Sequence, residues 1–71
     1  MKKIIKNNPI KIEFGDYGNF ATMIPIDILE CKPNDYYKVL IRWKYPNSEH
    51  TIDLWNQDDK EVDFDSFNFK Q

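Results

Sequence analysis

The sequence predicts a small all-β domain, a five-stranded antiparallel sheet or a partly open SH3-like or OB-like barrel, and three observations carry that expectation. Two runs rich in β-branched and aromatic residues, Tyr36 to Tyr45 and His50 to Trp55, flank a Pro-Asn-Ser turn signal and read as a central hairpin over residues 36–55. Strand-like segments recur at intervals of about ten to fifteen residues. No stretch of three helical turns carries the apolar period of an amphipathic helix.

Taken in order, Met1 to Asn8 sets Lys2, Lys3 and Lys6 around Ile4-Ile5 and is expected as a loose arm that ends at Pro9. Its apolar part is far shorter than the roughly 7–15-residue core of a signal peptide. No run approaches the ~20 apolar residues of a membrane-spanning helix, so a cytoplasmic protein without a membrane partner is expected. Ile10-Lys11-Ile12-Glu13-Phe14 alternates like a half-buried strand. Gly15 to Asn19 holds both glycines of the chain and predicts a turn, because glycine accepts the positive φ that tight turns need. Phe20 to Ile24 reads as the returning strand. Pro25 lacks an N–H for a ladder, which places it at an edge or a bend. Ile26 to Cys31 is apolar on both parities and fits either a strand or one helical turn, with strand the preferred reading. Lys32-Pro33-Asn34-Asp35 is a turn.

The register of the central hairpin follows from its side chains. With Pro46 to Glu49 as a four-residue loop, Tyr45 faces His50 and the next pairs are Lys44–Thr51, Trp43–Ile52, Arg42–Asp53, Ile41–Leu54 and Leu40–Trp55. Apolar residues then meet on one face, and the opposite charges of Arg42 and Asp53 meet on the other. A slip of one residue would set Trp43 against Asp53 and exchange the faces. A two-residue Pro46-Asn47 loop fails because the favoured turns need a positive φ where proline is held near −65°. Beyond a polar loop at Asn56 to Lys60, Glu61-Val62-Asp63-Phe64-Asp65 alternates as a fifth strand with Val62 and Phe64 inward. Phe67 and Phe69 continue that spacing imperfectly, and residues 66–71 are expected either to pack as a hook or to fray.

At 71 residues the chain makes a single domain. Folding at this size buries about 60% of the unfolded surface and leaves a net stability of about 4–10 kcal/mol. Cys31 is the only cysteine, so no internal disulfide can contribute, and a reducing compartment is the natural setting. The 11 aromatic residues must carry the core instead. The abundance of Lys, Asn, Asp and Ile suits a low-GC bacterial or phage gene.

The net charge of −2 conceals an asymmetry. Lys2, Lys3, Lys6 and Lys11 stand without an acid between Met1 and Ile12, whereas Asp53, Asp58, Asp59, Glu61, Asp63 and Asp65 face only Lys60 near the other end. The simplest accounts are that the two ends lie side by side and neutralise each other or that both are plain solvated faces, with a charge-driven partner site as the alternative.

Catalytic signals are weak. Cys31 and His50 are sole representatives of their types, and nothing in their spacing brings them within hydrogen-bond reach with an orienting third group. The alternating acids from Asp59 fail the calcium-loop pattern, since position six is Phe64 and position twelve is Lys70. Phosphate loops, nucleophile elbows and paired-cysteine zinc spacings are missing from the sequence. No cofactor, metal or catalytic role is expected.

Two binding surfaces compete. The first is the acidic, Phe-rich segment of Asp58, Asp59, Glu61, Asp63, Phe64, Asp65 and Phe67, where carboxylates steer a basic protein partner and rings anchor it, as an inhibitor or adaptor of a nucleic-acid-handling protein does. The second is a single-stranded nucleic-acid face made of Tyr36, Lys38, Arg42, Lys44 and Trp55, with rings for bases and cations for phosphates. The slightly acidic chain favours the first. Self-association through an unpaired strand edge is the third expectation.

Overall fold

The computed structural model describes residues 2–14, 18–32, 38–56 and 60–69. Over these the chain forms six strands: β1 (Lys2–Ile4), β2 (Ile10–Phe14), β3 (Asn19–Cys31), β4 (Val39–Lys44), β5 (Thr51–Trp55) and β6 (Lys60–Val62). A single 3₁₀ turn, Phe64–Phe67, follows them. The fold is all-β, as the sequence predicts. Strands β2-β3-β4-β5 form an antiparallel sheet in chain order, and β1 and β6 form a separate parallel pair. The strands do not close into a barrel. None of the described residues forms a helix long and apolar enough to cross a membrane.

β4 and β5 hold the register derived from their side chains, with Arg42 opposite Asp53 and Trp43 opposite Ile52. Beyond them the Tyr45 N–H donates to the His50 carbonyl at 3.2 Å, closing the four-residue loop. Alternation along β4 buries Val39, Ile41 and Trp43 and leaves Leu40, Arg42 and Lys44 half-buried on the opposite face. Tyr36, expected at the start of this hairpin, lies outside the described residues.

β3 is the element that joins two hairpins. Its first part, Asn19 to Met23, pairs with β2, and its second part, Ile24 to Cys31, pairs with β4. Pro25 sits at the exchange of partners. It stands opposite Trp43 but has no N–H to donate, and the register shifts by one residue between Pro25 and Asp27. A second shift falls between Ile28 and Glu30. Residues 26–31 are therefore strand, and their two-sided apolarity has a local cause. Each bulge reverses the parity of the residues that follow it, so both sequence parities reach the core side.

The ends of the chain depart from expectation. Lys2–Ile4 is a strand, not a loose arm, and it lies alongside β6 with Lys3 opposite Glu61 and Ile4 opposite Val62. The basic and acidic ends are thus side by side. The fifth strand expected over residues 61–65 covers only Lys60–Val62 and joins β1 instead of extending the antiparallel sheet. After it the backbone tightens into the 3₁₀ turn. A period of three sets Phe64 and Phe67 on one side, where a strand would have split them between faces. Ser66 fastens this turn: its hydroxyl accepts from the Lys6 N–H at 3.0 Å and donates to the Asp63 carbonyl at 2.7 Å. The Asp63 N–H donates to the Ile4 carbonyl at 2.9 Å, continuing the parallel ladder. Asn68 ends the turn at φ 55°, a left-handed conformation that asparagine tolerates better than most residues.

The core collects Ile4, Ile12, Met23, Ile28, Val39, Ile41, Trp43, Val62 and Phe67, contributed by every strand except β5 and by the turn. Ile52 and Leu54 of β5 pack against it from the edge.

Candidate binding surfaces

The acidic segment is presented by β6 and the 3₁₀ turn. Glu61 and Asp65 are exposed and Asp63 is half-buried, while Asp58 and Asp59 lie outside the described residues. The aromatic residues of this segment divide. Phe67, expected among the anchors, is 8% exposed and belongs to the core. Phe64 is half-buried and packs against Phe69 with ring centroids 6.0 Å apart. Phe69, whose spacing gave no clear strand parity, is the second member of this ring pair. The two rings are partly buried against the core, on a backbone that Asp63 ties to Ile4 of β1.

The aromatic and basic face of the hairpin is assembled differently from its sequence promise. Arg42, Lys44 and Trp55 share one face, with Lys38 at its end. Arg42 is committed: its Nε donates to Asp53 Oδ1 at 2.9 Å and its Nη2 to Asp53 Oδ2 at 3.3 Å. Asp27 stands opposite it on β3, so the cation lies in a row between two acids. Lys44 Nζ donates to the Tyr45 carbonyl at 3.2 Å. Lys32 Nζ lies 5.2 Å from the centroid of the Trp55 ring, a cation–π contact that sequence spacing did not suggest.

The Arg42 hydrogen bonds hold the Asp53 carboxyl below its ordinary 3.8, against the opposing effect of lost solvation, and hold the Arg42 guanidinium above its ordinary value. The pair's contribution to stability is complete above the ordinary carboxylate value and is lost as pH falls through the lowered one. Carboxyl-carbon NMR should therefore give Asp53 a lower titration midpoint in the wild type than in Arg42→Ala. Equal midpoints would show that the pair does not persist in solution.

A third feature comes from many elements at once. A recess of about 230 Å³ is lined by Ile12 and Glu13 of β2 and by Leu54 and Trp55 of β5, together with Phe20, Trp43 and Asn56. Phe20, at 59% exposed, is the most exposed large apolar side chain among the described residues. Sequence reasoning missed this recess because its lining residues are spread from Ile4 to Lys60.

Cys31 and His50 are placed far apart. Cys31 pairs with Val39 and His50 with Tyr45, at opposite ends of β4, a separation of roughly 20 Å at about 3.3 Å per strand residue. Among the described residues no three His, Cys, Asp or Glu side chains gather as metal ligands would. Comparison with protein-family models, with curated proteins and with solved structures finds no match, so the functional reading rests on the residues of this chain alone.

Proposed function

We propose that this chain is a small non-catalytic protein-binding module, an inhibitor or adaptor that engages a basic surface of a nucleic-acid-handling partner through its acidic C-terminal segment. The observation that carries the reading is the presentation of that segment. Exposed Glu61 and Asp65 belong to the same short segment as the Phe64–Phe69 pair, and its backbone is tied through Asp63 to Ile4 of β1 and through Ser66 to Lys6. Pre-organised carboxylates steer a cationic partner, and half-buried rings supply an apolar anchor at small ordering cost. The role is a cytoplasmic one, where the single thiol of Cys31 stays reduced. The nucleic-acid reading of the hairpin face is second, because Arg42 is neutralised within a row of acids.

The test is affinity capture with the wild type and with the double variant Glu61→Lys, Asp65→Lys, both folded by circular dichroism. A basic protein retained by the wild type should be lost from the variant by about tenfold or more, in line with the on-rate and orientation effects of rim charges. Equal retention by the two would overturn the proposal. Titration of the wild type with a single-stranded oligonucleotide should leave Trp43 and Trp55 fluorescence unchanged. Quenching that fades with salt would favour the hairpin face instead.

A further inference from the structure

The two outer strands of the antiparallel sheet are β2 and β5, and their free edges differ in what they can pair with. β2 is Ile10-Lys11-Ile12-Glu13-Phe14, and among the described residues its only ladder is with β3. Lys11 and Glu13 are exposed and flank the buried Ile12. An edge of this kind presents unpaired N–H and C=O groups to any strand that approaches it.

We propose that β2 is a self-pairing edge: two copies of the chain join antiparallel β2 strands about a twofold axis through Ile12. The register is selected by charge. With Ile12 opposite Ile12 of the second copy, Lys11 faces Glu13 of the second copy and Glu13 faces its Lys11, while Ile10 comes opposite Phe14. Residues of equal parity face each other, so whichever parity turns its N–H and C=O outward finds a partner doing the same. A shift of one residue breaks that match. A shift of two sets Lys11 against Lys11 in one direction and Glu13 against Glu13 in the other, both repulsive. One register satisfies backbone and charge together. It is isologous, which gives a closed dimer and not a fibre.

The surroundings agree with this pairing. Phe20 stands beside Glu13 in the β2–β3 ladder, and Lys11 Nζ lies 5.8 Å from its ring centroid. Joining the β2 strands would extend that face into a row of Phe20, Glu13, the second copy's Lys11 and its Thr22, setting the most exposed ring next to a charge pair and not against water alone. β5 offers no equivalent: Asp53 is its only charged residue, so no register of β5 with itself creates an attractive pair.

Charge exchange at two exposed positions tests it. Sedimentation equilibrium over a concentration series should show a reversible dimer for the wild type. Lys11→Glu and Glu13→Lys should each weaken association by about tenfold or more, since attraction becomes repulsion at both symmetric pairs. An equimolar mixture of the two single variants should form a heterodimer. One chain then carries an acid at both positions and the other a base at both, so each facing pair is attractive again. The doubly exchanged Lys11→Glu, Glu13→Lys chain should self-associate like the wild type. Circular dichroism identical to wild type is expected throughout, as these are surface positions. A wild type that stays monomeric at every concentration, a dimer indifferent to both single changes, or a mixture without heterodimer each overturns the proposal.

Discussion

Trp43→Ala should remove a large fraction of the stability of the fold. Trp43 lies in β4, an inner strand, and is 2% exposed, opposite Pro25 on one neighbour and Ile52 on the other. Truncating a buried aromatic side chain costs about 3–5 kcal/mol, from lost transfer free energy and from the cavity left behind. A chain of this length has about 4–10 kcal/mol in total. No disulfide is present to hold the denatured ensemble together. Trp43 also lines the recess, so the void created would adjoin an existing space. Urea denaturation followed by far-UV circular dichroism measures the loss. A variant within about 1 kcal/mol of the wild type would show that the centre of the core lies elsewhere.

Asn56→Ala is expected to destabilise the fold through lost hydrogen bonds and not through lost packing. Asn56 is the one buried polar residue among those described, at 6% exposed, and it directly follows β5. Its backbone N–H donates to the Val39 carbonyl at 2.9 Å, and its Oδ1 accepts from the Val39 N–H at 3.0 Å, so the residue completes both bonds of a ladder position. Its Nδ2 donates to the Lys60 carbonyl at 3.4 Å, which links the end of β5 to the start of β6. Alanine removes the side-chain acceptor and donor and leaves the Val39 amide buried without a partner, a cost of about 1–3 kcal/mol. For a domain of this size each kcal/mol lowers the melting temperature by roughly 4–8 °C. Hydrogen exchange gives the specific readout. The Val39 amide should lose protection in the variant beyond the global change, whereas the Ile41 amide should follow global stability alone. Unchanged protection at Val39 would mean that the side-chain bond carries no weight.

The hairpin of β4 and β5 was legible because its information is local. Side chains alternate with period two, the loop residues restrict the turn, and a one-residue error would set tryptophan against aspartate. Phe67 was misplaced because a Phe-x-x-Phe spacing has no face until the backbone chooses between a strand and a 3₁₀ turn. That choice was made by Ser66 and Asp63 bonding to Lys6 and Ile4, some 60 positions away. The path of β3 through Pro25 was ambiguous for a related reason. A proline without a ladder donor signals an edge or a bend, but only the exchange of partners from β2 to β4 shows where the bend is used.

The surfaces divide in the same way. The acidic segment could be read from composition, and so could the basic and aromatic residues of the hairpin. Whether a charge is available or already neutralised could not, since that depends on which strand lies beside it. Arg42 was paired to Asp53 from the register, yet Asp27 beside it came only with the bulges of β3. From its own residues this chain determined an all-β fold, the central hairpin with its register, and a split between a basic and an acidic end. The tertiary structure alone decided the parallel pairing of those ends, the burial of Phe67, the recess between β2 and β5, and which two strands are left as edges. Local propensity acts within a few residues, whereas these four depend on contacts between segments distant in sequence, and such contacts form only when the whole core closes.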